Sequence, residues 1–205
     1  VSFWDAARFC NWLHNGQGNG DTESGAYLNV GDQNTFMRKP GAKYFIPTEN
    51  EWYKAAYHKN DGVTGNYFDF PTRSDVAPSK NVRLVDPGNN ANFYDDGGYT
   101  IGLPFYLTVV GEFEKSYSPY YTFDQGGNLF EWDETSIGGS LRGARGGSWG
   151  HPSYCLDRSV RHYSRPALFD ENYIGFRVAR IPEPGTITLL ACGAVVALAL
   201  WRRRR

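Results

Sequence analysis

At 205 residues, 40% hydrophobic and 16% aromatic, the chain is long enough for one sizeable domain plus an appendage and too apolar for a disordered segment. The formal charge of −1 hides a terminal block: without Arg202–Arg205 the 21 basic residues fall to 17 against 22 acidic ones, a mildly acidic body lacking the basic face that nucleic-acid binding needs. Three cysteines with no CxxC or Cys/His spacing exclude full internal pairing and argue against a structural zinc site.

The opening VSFWDAARFCNWLHNG reads as a strand end running into a helix. Phe3, Ala6, Ala7, Cys10 and Leu13 recur at helical spacing, which puts Cys10 on the apolar face as a small buried hydrophobe, and Gly16 is the stop. His14 suits the helix end as a cation and carries no functional role. Gly16 to Gly41 is polar and glycine-rich, a surface excursion. In FIPTENEWYKAAYHK, Thr48 and Glu51 form a capping box, Trp52, Ala55 and Ala56 supply the buried stripe of a second helix, and His58 reads as solvated.

Asn60 to Tyr121 is loop territory, with short strands expected around Leu107 to Phe113. So much irregular backbone needs tying down, and metal clips are one means. FDQGGNLFEW offers the carboxylates of Asp124 and Glu131, with Gly126 and Gly127 free to turn carbonyls inward. Such oxygen ligands suit calcium; the alternative is that these acids only cap turns. Leu141 to Arg180 alternates glycine-punctuated strands with turns and closes on IGFRVARI, with Phe176 and Val178 on one face. Arg142, Arg145 and Arg177 are expected to pair with buried acids or carbonyls. His162 is expected to be a hydrogen-bonded structural histidine. No internal repeat is present.

The tail, IPEPGTITLLACGAVVALALWRRRR, carries no charge from Gly185 to Trp201. A helix of that length rises about 25 Å, against a hydrocarbon core of about 30 Å. Trp201 and snorkelling arginines can make up the difference, and the basic block stays cytoplasmic. In its ordered parts (Pro182-Glu183-Pro184, a short apolar helix over about 186–201, a basic end) the tail resembles the PEP-CTERM sorting signal. That resemblance implies a bacterial cell-envelope protein that is exported and transiently anchored in the inner membrane. An exosortase would cleave it, leaving the body at the outer surface or in the extracellular matrix. Cys192 lies inside this segment. Since an exported protein needs a signal peptide, the start at Val1 is expected to lack an N-terminal portion.

Four landmarks in order, WDAARFCNWL, FIPTENEWYKAAY, FDQGGNLFEW and LRGARGGSW…IGFRVAR, resemble the sulfatase-modifying-factor family, which includes the formylglycine-generating enzymes. The resemblance implies an α+β fold over 1–180, a single compact loop-rich domain related to C-type lectins, followed by the sorting signal over 181–205. It also implies one calcium site at the side chains of Asp124 and Glu131 and the carbonyls of Gly127 and Leu129, and a second at Asn92, Phe93, Asp96 and Tyr99. In the family enzymes two cysteines after RGGS hold Cu(I), a soft ion that prefers thiolates. Here the second of that pair matches Cys155, while Gly150 or His151 stands at the first, and Ser148 matches an active-site serine. Phe130 stands where the family has Trp. Iron enters only through a related branch whose histidines come from an additional helical domain.

Three readings of Cys155 stay open: an inert vestige, a mixed nitrogen–sulfur metal site with His151, or a free thiol that pairs with a partner or acts as a nucleophile with its pKa lowered by Arg158 and Arg161. Two functions follow. One is an exported formylglycine-generating-enzyme-like oxidoreductase acting on a protein or small thiol, short of full copper-dependent activity for want of the second cysteine. The other is a non-catalytic, calcium-stabilised extracellular module binding glycan or matrix.

Overall fold

The computed structural model describes residues 1–82, 86–161 and 163–181. His162 and the segment from Pro182 onward, with its expected sorting signal, lie outside the described residues. No helix among the described residues is long and apolar enough to cross a membrane.

The chain begins in a helix rather than a strand end. Ser2 caps α1 (Phe3–His14) by accepting from the Asp5 N–H at 3.2 Å while the Asp5 carboxylate accepts from the Ser2 N–H at 3.1 Å. This Ser-x-x-Asp box satisfies two of the donors a helix start leaves orphaned. Phe3, Ala6, Ala7 and Cys10 are fully buried, as the helical spacing requires. Buried Asn11 on the same helix accepts from the Tyr27 N–H at 2.6 Å and donates to the Thr22 carbonyl at 2.9 Å. The glycine-rich stretch is thereby pulled inward. Within it, β1 (Tyr27–Leu28) pairs antiparallel with β2 (Met37–Arg38), and Tyr27 is fully buried, its hydroxyl donating to Glu134 at 2.7 Å.

β3 (Tyr44–Phe45) leads to Thr48 and the capping box that opens α2 (Glu49–Tyr57). Trp52, Ala56 and Tyr57 are buried on this helix. His58 ends it and is not simply solvated: its Nδ1 meets the Asn60 N–H and the Tyr120 hydroxyl at 3.0 Å, and its Nε2 the Val63 carbonyl at 3.1 Å. Among its described residues the long irregular region carries one hairpin, β4 (Tyr94–Asp95) with β5 (Gly98–Tyr99). The strands expected around Leu107 to Phe113 are absent, and Leu107, Val109 and Val110 are exposed. Side chains from elsewhere hold that loop, so apolar content there does not signal pairing.

The main sheet runs in the order β8 (Tyr163–Pro166), β7 (Leu141–Arg145), β6 (Phe130–Gly138), β9 (Ile174–Phe176). β6 and β9 are parallel and the other pairs antiparallel. The expected closing strand splits, its second piece β10 (Ala179–Arg180) crossing to pair with β3. α1 covers one sheet face, with Phe3 edge-on to Trp132 at 6.2 Å and the Arg142 guanidinium 4.7 Å over the Phe3 ring. On the other face Trp52 of α2 donates to Glu131 at 2.7 Å. Period-two alternation along β6 sends Trp132 and its neighbours to opposite faces. Between Trp132↔Ala144 and Ser136↔Arg142 the register shifts, so the stretch from Asp133 to Thr135 is a bulge.

Candidate functional site

Three chain segments meet at Gly127. Its N–H donates to the Gly146 carbonyl at 2.7 Å, and the next N–H, of Asn128, donates to the Asn92 carbonyl at 2.7 Å. The Asn128 carbonyl then accepts from the Trp149 N–H at 2.9 Å. Gly127 has φ +78°, and a Cβ there would fall inside the Asn92 carbonyl, so glycine is required twice over. Side-chain amides extend the junction. Asn92 Nδ2 donates to Asn128 Oδ1 at 3.0 Å and to the Tyr106 carbonyl at 2.9 Å, and Asn128 Oδ1 also accepts from the Thr108 N–H at 3.2 Å. Asp124 accepts from the Gly111 N–H at 2.7 Å. The loop from 102 to 111 is thus laid over the junction by local amide and carboxylate bonds.

Beside it, Ser148 is fully buried and its Oγ lies 2.7 Å from His151 Nδ1. The His151 N–H returns to the Ser148 carbonyl at 3.0 Å, and its own carbonyl accepts from the Tyr94 N–H at 3.0 Å. The imidazole stands edge-on to Phe130 at 4.8 Å and to Tyr173 at 5.4 Å. Cys155 follows in a single 3₁₀ turn, Ser153–Leu156, only 4% exposed and packed behind Gly147. Burial pushes its thiol up, against a smaller downward pull from the Tyr154 side chain. The two arginines expected to lower it are engaged elsewhere, Arg158 with Asp69 at 2.9 Å and Arg161 with Glu49. A thiolate is the reactive form, so Cys155 is not activated. In the folded protein it should alkylate with iodoacetamide at pH 8 at least about tenfold more slowly than in the urea-unfolded chain. Peptide mapping over time checks this, and equal rates would refute the buried, unactivated thiol.

The expected oxygen ligands are placed as follows. Glu131, 8% exposed, accepts from Trp52 Nε1 at 2.7 Å, from Arg177 Nη2 at 2.6 Å and from Arg177 Nε. Asp124 is raised chiefly by burial; the Gly111 N–H and Arg177 pull it down, and Glu131 pushes it up. Arg177 therefore already pairs with Glu131, as expected from the sequence, and acts on Asp124 only at a distance. Gly127 and Leu129 share that loop. Asn92 is 1% exposed and its Oδ1 has no hydrogen-bond partner, an unsatisfied buried acceptor of the kind a cation or water fills. The Phe93 carbonyl accepts from Thr100, while Asp96 is exposed at the turn between β4 and β5, next to Tyr99 on β5. Among the described residues no three His, Cys, Asp or Glu side chains converge as a metal-ligand group.

An aromatic wall leaves little trace in the sequence. Trp149 stacks on Tyr106 at 4.6 Å and 24°, and Tyr99 stands edge-on to Tyr106 at 4.9 Å and 5.8 Å from Trp149. Tyr94 adds a fourth ring, 5.0 Å from Tyr99. Tyr99 is 44% exposed, so the wall faces solvent beside the Ser148–His151 pair. Its only signal is the pair of tyrosines flanking a DDGG turn.

The profile of the sulfatase-modifying factor enzyme 1-like domain matches residues 1–182. Among solved structures, CarF aligns at 24% identity and TM-score 0.57 over 89% of this chain and 66% of its own. Variable protein 1 of Treponema denticola aligns at 21% and 0.58 over 89% and 70%, and PvdO from Pseudomonas aeruginosa at 20% and 0.51 over 88% and 60%. This chain thus spans about two thirds of the length of those structures, and at such identities they establish the fold alone. A search of curated proteins finds no match. With its α+β sheet-and-helix frame and a profile match over nearly all of the described residues, the chain belongs to the sulfatase-modifying factor enzyme 1-like (FGE-sulfatase) domain family.

Proposed function

We propose that this is an exported, exosortase-sorted member of the family that lacks full copper-dependent oxidase activity and uses the aromatic wall at Trp149 to bind glycan or matrix. The observation that carries the first part is the donor set. Cu(I) held by thiolates wants two sulfurs, and Cys155 is buried and raised in pKa. The other cysteine among the described residues is Cys10, itself raised to about 12 in the core beneath α1. His151 has Nδ1 committed to Ser148. These residues do not fit the family's copper centre, and no oxidative step is assigned to them. The PEP-CTERM-like order of the tail supports export, with exosortase and the inner membrane as passing partners and the cell surface as destination.

The aromatic wall favours the binding reading. Stacked, half-exposed rings offer flat apolar faces to the C–H faces of sugars, while hydroxyls at their edges supply hydrogen bonds. Calcium enters this reading as a structural ion: Asn92 Oδ1 supplies an unsatisfied acceptor, and Asp124 and Glu131 supply charge if Arg177 shares them. A C-type-lectin-like ancestry fits the same picture.

The test takes the full chain, offers copper and a cysteine-containing peptide, and follows oxygen consumption alongside retention on polysaccharide gels. The expected result is no aldehyde product, with retention lost in Trp149→Ala and Tyr106→Ala. Bis-thiolate copper within one protomer, together with aldehyde formation, would overturn the first part. Retention unchanged in both variants would overturn the second.

A further inference from the structure

A cavity of about 330 Å³ opens on the α2 side of the main sheet, lined by Glu49, Asp133, Arg145, Arg161, Ser136 and Ser164 among others. It shares no lining residue with the Trp149 wall. Its floor is Asp133, 1% exposed and carried into place by the β6 bulge. Among the described residues Thr135 alone donates to this carboxylate, its N–H at 2.9 Å to Oδ1 and its hydroxyl beside it, while Oδ2 lies flat against Gly143, where a Cβ would collide with it. Glu49 is differently placed. Both its oxygens are taken, Oε1 by Arg145 at 2.5–2.8 Å and Oε2 by Arg161. Arg161 has a 63% exposed side chain at the mouth, and one of its nitrogens meets Glu49.

The charges of these four groups sum to zero but are laid out in order, a carboxylate without a cationic partner at the floor and an exposed guanidinium at the rim. A buried carboxylate short of donors is costly unless a cation or donor joins it. Burial does raise Asp133 to about 6, with Thr135 and Arg145 opposing and Glu49 reinforcing the shift. The volume holds a small amino acid with room to spare.

We infer that this cavity binds a small α-amino acid zwitterion, its ammonium donating to Asp133 and to the Ser136 and Ser164 hydroxyls, its carboxylate meeting Arg161. Two consequences follow. Blocking either charge of the ligand should abolish binding. Affinity should also fall as pH drops through about 6, because protonated Asp133 cannot hold an ammonium.

The experiment is calorimetric titration of the full chain at pH 7.5 with L-alanine, N-acetyl-L-alanine and ethylamine. L-alanine should bind at least about tenfold more tightly than either single-charge probe. Asp133→Asn and Arg161→Gln should each weaken it by at least about tenfold, and Ile137→Trp, at the half-exposed rim, should block it without touching the charges. Asp133→Asn keeps the Thr135 contact, and its thermal midpoint reports folding; should that variant fail to fold, Ile137→Trp decides the question in its place. No heat with L-alanine, equal binding of ethylamine, or undiminished binding in folded Ile137→Trp would each overturn the assignment.

Discussion

Arg145→Met should destabilise the domain by about 3–5 kcal/mol, the usual cost of breaking one side of a buried ion pair. In a chain of this size that lowers Tm by roughly 6–20 °C. The Arg145 and Glu49 side chains are 8% and 10% exposed, and the guanidinium approaches Glu49 Oε1 with both Nε and Nη2. Its Nη1 also donates to the Val160 carbonyl at 3.2 Å, so one side chain latches α2, β7 and the segment before β8 together. Methionine fills the volume but leaves Glu49 with Arg161, whose side chain is largely exposed and whose field water screens. It also strips Asp133 of a neighbouring cation, making that buried carboxylate costlier still. Pairing the change with Glu49→Leu should recover more than half the loss, because the penalty lies in the stranded charge. Urea titration of the four proteins of this cycle decides it. A single-variant loss below about 1 kcal/mol would mean that the pair is hydrated in solution.

That latch illustrates how far the sequence can be read. The two helices are legible because burial imposes a 3.6-residue stripe, and Phe3, Ala6, Ala7 and Cys10, like Trp52 and Ala56, do line the core. The Thr48–Glu51 box is equally plain, whereas the Ser2–Asp5 box passes for a strand end although it has the same spacing. Pairing of the glycine-flanked arginines with acids follows from charge alone, but their partners Glu49 and Glu131 lie 96 and 46 residues away, and no local pattern names them. For the same reason the Asp133 cavity is invisible in sequence: it depends on a bulge and on a contact across β6 and β7. Tyr27 is lost inside a polar stretch because its burial rests on Asn11 and Glu134, not on neighbours in sequence. Family motifs put Ser148, His151 and Cys155 in one region. Only the folded chain reveals that Ser148 claims the imidazole and that burial, not Arg158 or Arg161, governs the thiol.

Gly127→Ala should be among the most damaging methyl additions at the described glycines, costing about 4 kcal/mol or more. Left-handed backbone alone costs a residue with a Cβ about 1–2 kcal/mol. At Gly127 the added carbon would also sit inside the Asn92 carbonyl, so the Asn128 N–H bond to that carbonyl and the Gly127 N–H bond to Gly146 cannot both survive. Their loss would displace Asn92 and Asn128, and with them the hold of Asn92 on the Tyr106 carbonyl and of Asn128 on the Thr108 N–H that keeps the 102–111 loop over the site. Gly139 separates the two contributions. Its φ is also positive, +55°, but a Cβ there meets open space, so Gly139→Ala should cost only the backbone share, about 1–2 kcal/mol. Limited proteolysis adds a readout that stability alone does not: Gly127→Ala should be cut within residues 102–111 under conditions where Gly139→Ala stays intact, and Trp149 fluorescence should shift as Tyr106 leaves it. Were the two variants equally stable and equally resistant, the three-segment junction would not be what orders the aromatic wall, and the binding face would have to be sought elsewhere on the fold.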